Sequence, residues 1–209
     1  MRLFVFGASG STGAELIAQA LDAGHRVTAL ARTPDSIPRR AGLTVLRGNV
    51  LDPDGWRTSL AGHDAVLSCL GSADRRPTTV YSQGVTGIIA AMHDHAVRRL
   101  SCISSIGLGE FNLAPLSRRL LMGYLVQPLY RHMFADMKEM EHLVAASELD
   151  WTIVRPPRLT NGALTGRYRT AVNEDLPNSQ SLARADLAHY LLHHLDDPAG
   201  RRAIVHIAN

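Results

Sequence analysis

The chain has 209 residues, enough for one domain with a sizeable core. Its apolar content of 45%, charged content of 20% and net charge of +3 are ordinary for a globular protein. No apolar stretch is long enough to span a bilayer, and two cysteines, Cys69 and Cys102, cannot make a disulfide framework.

The first strand is Leu3 to Phe6, wholly apolar as expected of a strand covered on both faces. It is too short for the core of a signal peptide, so the chain is expected to be cytoplasmic. Gly7-Ala8-Ser9-Gly10-Ser11-Thr12-Gly13 follows, then a helical stripe of Leu16, Ile17, Ala20 and Leu21. Strand, glycine turn and helix are the context that turns this spacing into a dinucleotide site. Gly7 allows the tight turn, Gly10 lets a diphosphate approach the backbone, and Gly13 lets the helix pack on the strand. The free N–H groups at the helix start would hold the diphosphate, with Ser9, Ser11 and Thr12 adding hydroxyl donors.

Gly24 caps that helix, and Arg26 to Leu30 is the second strand. Enzymes that prefer NAD place an acid after this strand; here the sequence reads Ala31-Arg32-Thr33, with the nearest acid, Asp35, beyond Pro34. An arginine clamps a 2′-phosphate where an acid would repel it, so the cofactor is expected to be NADP(H). Leu43 to Leu46 is the third strand. Gly48-Asn49-Val50-Leu51-Asp52 after it resembles the Gly-Asp-Val/Leu-x-Asp turn with which the short-chain dehydrogenase/reductase superfamily covers the adenine, which implies Asn49 and Val50 against that ring; Asp52 is expected to cap a following helix. Asp64 to Gly71 is the fourth strand and its exit. In a 3-2-1-4-5 sheet the switch point falls between strands one and four, so Leu70 and Gly71 face the cofactor.

Arg76-Pro77-Thr78-Thr79-Val80 opens a helix running to about His95, in which Gly84 and Gly87 imply close packing. Arg99 to Ser105 is the fifth strand, with serines at its carboxyl end. Residues 106–127 read as a loop and a short amphipathic helix from Leu116 to Val126. Tyr130 to Leu149 is a long helix. Asp150 to Leu159 is the sixth strand and its exit, where Pro156 and Pro157 fix the loop. Thr165 to Arg169 reads as a short strand of a substrate lobe, Ser181 to Leu195 as a helix, and Ala203 to Ile207 as the last strand. Alternating strands and helices give an α/β, doubly wound parallel sheet in three layers, one domain over residues 1–209.

The arginine pairs at 39–40, 75–76, 98–99, 118–119 and 201–202 are dispersed without interleaved aromatics, which favours solvated faces over a nucleic-acid stripe. His189 and His193 have helical i,i+4 spacing but no Cys- or Glu-rich partner set, so packed or solvated histidines are expected rather than a metal site.

The Gly-x-x-Gly-x-x-Gly spacing resembles the extended and atypical branches of the short-chain dehydrogenase/reductase superfamily. With Pro77-Thr78-Thr79-Val80, Gly84, Ala90-Ala91-Met92 and Ser147 to Leu149, the chain resembles the NADPH-dependent biliverdin reductase B/flavin reductase family, within the NmrA-like group. That resemblance implies a Rossmann-type fold, NADPH as reductant and a small conjugated acceptor; a monomer or homodimer is expected. It places Ser104 beside the nicotinamide, and Arg158 where the family has a histidine. The superfamily's usual acid is a Tyr-x-x-x-Lys pair; here Phe134 stands in the tyrosine's place and Lys138 remains. Tyr130 is eight residues before Lys138, roughly 12 Å along a helix. The catalytic expectation is therefore Ser104 and Lys138, with Pro157 and Arg158 on the cofactor. A non-catalytic NADP(H) sensor is the alternative.

Overall fold

The computed structural model describes residues 1–72, 76–109 and 122–209. Ten strands are present among these: β1 (Arg2–Phe6), β2 (Arg26–Ala31), β3 (Leu43–Arg47), β4 (Ala65–Ser68), β5 (Arg99–Ile103), β6 (Asp150–Arg155), β7 (Arg158–Thr160), β8 (Arg169–Val172), β9 (Ser181–Ala183) and β10 (Ala203–Ala208). Eight form one sheet in the order β3-β2-β1-β4-β5-β6-β10-β8, parallel except for β8, which pairs antiparallel to β10. The order reverses between β1 and β4, so the crevice at their carboxyl ends is where the expected switch point lies.

The period-two alternation of β1 divides the core. Leu3 and Val5 face α1 (Ser11–Asp22) and α4 (Arg184–His193), meeting Leu16, Ile17, Leu187 and Leu191. Phe4 and Phe6 face α2 (Ser82–Asp94) and α3 (Arg131–Ala146), meeting Trp56, Ile88, Met140 and Val144. The result is the three-layer Rossmann-like arrangement expected of the chain. Among the described residues no helix is long and apolar enough to cross a membrane.

Several elements differ from their sequence expectation, each for a visible reason. Asp52 caps no helix; two short 3₁₀ turns, Pro53–Gly55 and Arg57–Leu60, follow it instead. Trp56 between them is fully buried, its ring edge-on to Phe6 at 4.8 Å, and its Nε1 donates to Asn49 O at 3.0 Å. The helix expected from Arg76 begins at Ser82, because Asp136 of α3 accepts from the backbone N–H groups of Tyr81 and Ser82 at 3.0 and 3.2 Å. Residues 165–168 are not strand. The Thr165 and Gly166 N–H groups donate to the fully buried Asp186 at 2.8 and 2.9 Å, leaving the strand to start at Arg169. The helix expected from Ser181 begins at Arg184, since Ser181–Ala183 pairs in parallel with β7 as a two-stranded ribbon, the small lobe at the carboxyl edge of the sheet.

Of the expected amphipathic segment, residues 116–121, with Arg118 and Arg119, lie outside the described residues, as does Arg75. The part that follows is a π-helical turn, Met122–Val126, and one α-helical turn, Gln127–Leu129. His189 and His193 stack ring on ring at 3.8 Å, and His189 Nδ1 lies 2.8 Å from the Tyr168 hydroxyl.

Candidate functional site

Gly7 ends β1 at φ +75°, and a Cβ there would sit 2.2 Å from Cys69 O on the neighbouring strand exit. Only glycine makes this turn without moving β4. A Cβ at Gly13 would lie 2.3 Å from Gly7 O, so the first turn of α1 presses directly on the loop. Gly10 is the N-cap, and no side chain caps the helix. The helix therefore presents its first N–H groups uncapped at the positive end of its dipole.

That end opens on a cleft of about 1100 Å³ along the carboxyl edge of the sheet. Of the residues expected to bind cofactor, Gly7, Ser9, Gly10, Ser11, Thr12, Arg32, Asn49, Val50, Leu70, Gly71, Ser104 and Pro157 all line it. Arg32 is exposed at one end, and the nearest acid, Asp35, lies instead 3.9 Å from Arg47. The Asn49 side chain accepts from Leu51 N–H at 3.2 Å, which folds the loop after β3 into the wall. Gly84 packs on the same wall from behind: a Cβ there would meet Leu70 Cδ1 at 2.9 Å and Val50 Cγ2 at 3.2 Å.

Gly13, Arg158 and Lys138 do not line the cleft. Gly13 is spent on helix packing. Arg158 is exposed, because Pro156 and Pro157 direct the chain so that Pro157 and Leu159 face inward instead. Lys138 is exposed as well. The cleft stripe of α3 runs through Met133 and Met137, four residues apart, and Lys138 lies about 100° further round the helix. Phe134 turns towards the loop after β5, where its ring lies 2.6 Å from the place a Gly107 Cβ would occupy. The position of the usual Tyr–Lys pair thus contributes neither side chain to the cleft.

Sequence reasoning missed several lining residues. Tyr130, set aside for its distance from Lys138, is on the wall, as is Tyr81, whose hydroxyl accepts from Ser72 N–H at 2.9 Å. Burial pushes the Tyr81 phenol up from its ordinary pKa. Met133, Met137, Pro156 and Leu159 give the Ser104 end an apolar lining, and Arg184 adds a cation held by Asn161 Oδ1 at 2.6 Å. Cys69 also lines the cleft, but burial pushes its thiol up to about 12, so it holds no nucleophilic thiolate at neutral pH.

Ser104 follows β5 and is almost fully buried, its N–H donating to Val154 O at 2.8 Å. Its hydroxyl donates to Glu141 of α3 at 2.6 Å, and Glu141 in turn is gripped by Arg155 of β6. Of these three side chains only Ser104 lines the cleft, with Glu141 and Arg155 behind it. The arrangement fits a dinucleotide: an uncapped helix start in a glycine cradle, a cation where a ribose phosphate would fall, and an apolar end with one buried hydroxyl.

A family model described as NAD(P)H-binding matches residues 7–198. The photosystem II assembly factor Ycf39 of Synechocystis is 25% identical over 174 residues, 80% of this chain and 48% of its own length. The chain thus spans about half of that relative. Among solved structures, a short-chain dehydrogenase/reductase of Veillonella parvula in complex with NADP superposes with TM-score 0.83 at 18% identity, over 100% of this chain and 94% of that one. ChuY, an anaerobilin reductase of Escherichia coli O157:H7, superposes with TM-score 0.79 at 21% identity, over 100% and 97%.

Proposed function

The chain belongs to the NAD(P)H-binding family, and from that premise we propose that it is an NADP(H)-dependent reductase of a flat, conjugated acceptor such as a quinone or flavin. The observation that carries this reading is the division of one cleft into a polar, glycine-built end beside Arg32 and an apolar end beside Ser104, without the Tyr–Lys pair. Bound NADPH supplies hydride. Gly7, Gly10 and the start of α1 hold the diphosphate, and Arg32 holds the 2′-phosphate. Met133, Met137, Pro157 and Leu159 exclude water and keep the acceptor flat. A ketone develops a localised alkoxide that demands a positioned acid. A quinone or flavin spreads the incoming charge, so water suffices as proton source.

The test is a steady-state panel with NADPH. Quinones and flavins are expected to turn over and aliphatic ketones hardly at all, with Tyr130→Phe leaving quinone turnover within about two-fold. Efficient ketone reduction lost in Tyr130→Phe would make that phenol the acid and contradict the proposal. A second reading, an NADP(H)-sensing regulator, draws support from the relative named as an assembly factor. Tight NADPH binding with no turnover of any acceptor would favour it.

A further inference from the structure

A serine hydroxyl has one proton to donate and two lone pairs to offer. Here the proton's destination is fixed. Ser104 Oγ lies 2.6 Å from Glu141 Oε1, in the range of a charge-assisted O–H···O⁻ bond. Both oxygens of Glu141 are already engaged by Arg155, whose Nε donates to the same Oε1 at 2.9 Å and whose Nη2 donates to Oε2. Glu141 is 7% exposed and Ser104 4%, so the bond between them is sheltered from bulk water. The three groups come from α3, β6 and the end of β5. The pairing of Ile103 with Val154 in the sheet sets the spacing of the last two.

We propose that Glu141, clamped by Arg155, is a positioning residue that fixes Ser104 as a hydrogen-bond acceptor towards the cleft, so that Ser104 selects a ligand group bearing an amide-type N–H. Two candidate groups share that chemistry: the carboxamide of the nicotinamide and the imide of an isoalloxazine acceptor. The first concerns cofactor binding alone; the second rests on the reductase reading. It follows that Ser104 is not the proton source. A quinone that takes up hydride from NADPH, which leaves as NADP⁺, draws its one balancing proton from water.

The experiment has two arms, each run on wild type, Ser104→Ala and the double variant Glu141→Leu/Arg155→Met, which removes the acceptor of the Ser104 proton and both buried charges so that neither is stranded. In the first arm, calorimetry compares NADP⁺ with its 3-acetylpyridine analogue, in which a methyl replaces the amide nitrogen. In the second, lumiflavin and its N3-methyl derivative are compared as acceptors at saturating NADPH. The expected result is a preference of about ten-fold for the N–H ligand in at least one arm of the wild type, the size of one ordinary hydrogen bond. In the acceptor arm it appears in KM with kcat unchanged. Both variants should reduce it to about two-fold or less, while binding of 2′,5′-ADP, which never reaches Ser104, stays as in wild type. Indifference of the wild type in both arms, or a preference that survives Ser104→Ala, overturns the proposal. A preference lost in Ser104→Ala but kept in the double variant overturns the role of Glu141. Absence of turnover with every quinone and flavin overturns the reductase reading alone, and the calorimetric arm then decides.

Discussion

The two ends of the cleft are built by opposite means. The diphosphate end is made of backbone: seven consecutive residues, Gly7 to Gly13, in which every critical distance runs to a main-chain atom, such as the 2.2 Å from a Gly7 Cβ to Cys69 O. The acceptor end is made of side chains from distant segments. Ser104, Glu141 and Arg155 meet there, and Asp136 ties α3 to the start of α2. A backbone site offers the same donors whatever the acceptor, whereas a side-chain site can be rebuilt around a new one. The reductase reading proposed above then makes recognition of cofactor and recognition of acceptor separable, and substitutions should divide between them.

The largest expected effect lies at the backbone end. A branched side chain at Gly10 would occupy the cradle, while its Cβ, 3.2 Å from Gly7 O, requires only a small local shift. Gly10→Val should lower NADPH affinity more than 100-fold with the far-UV circular dichroism unchanged. Retained binding in titration calorimetry would place the cofactor elsewhere. Next is the frame of the acceptor end. Asp136→Ala would leave two N–H groups and the Ser82 hydroxyl without their acceptor in a buried place, at a cost of about 2 kcal/mol or more. Urea unfolding should show that loss in the midpoint. An unchanged midpoint would mean that the two helices are not held through this carboxylate.

How much of this was readable beforehand follows the same division. The glycine loop and the alternation of strands and helices were legible because each shows in a pattern of neighbours in sequence. The acceptor end was not, because no local pattern says that Glu141 meets Arg155 across fourteen residues or that Asp136 meets Ser82 across fifty-four. A signal was present all the same. Asp136 and Glu141 border the apolar stripe Met133, Met137, Met140 and Val144, and Arg155 directly follows the buried Ile153 and Val154 of its strand. Charges in such places need buried partners. The Tyr-x-x-x-Lys register falls on Phe134 and Lys138, neither of which lines the cleft, whereas Tyr130, one turn earlier, does.

Smaller effects sharpen the contrast. Arg32 is exposed, so its contribution should stay near the low end for a charge-assisted contact. Arg32→Ala is expected to weaken NADPH about ten-fold and NADH less than two-fold. Equal losses in calorimetry would remove the basis for NADP(H) preference. Lys138→Ala should change neither kcat nor KM by more than about two-fold, because the side chain is exposed outside the cleft lining. A drop of ten-fold or more in kcat would restore it to the catalytic machinery.

The most direct test of the central claim is a single turnover. Protein saturated with NADPH is mixed in a stopped-flow spectrometer with excess quinone, and the absorbance of the bound cofactor is followed. One exponential decay of the full cofactor signal is expected, at a rate that rises with quinone concentration and saturates, and that is the same in Lys138→Ala. Cofactor that stays bound and reduced in the presence of every quinone and flavin tried would contradict it.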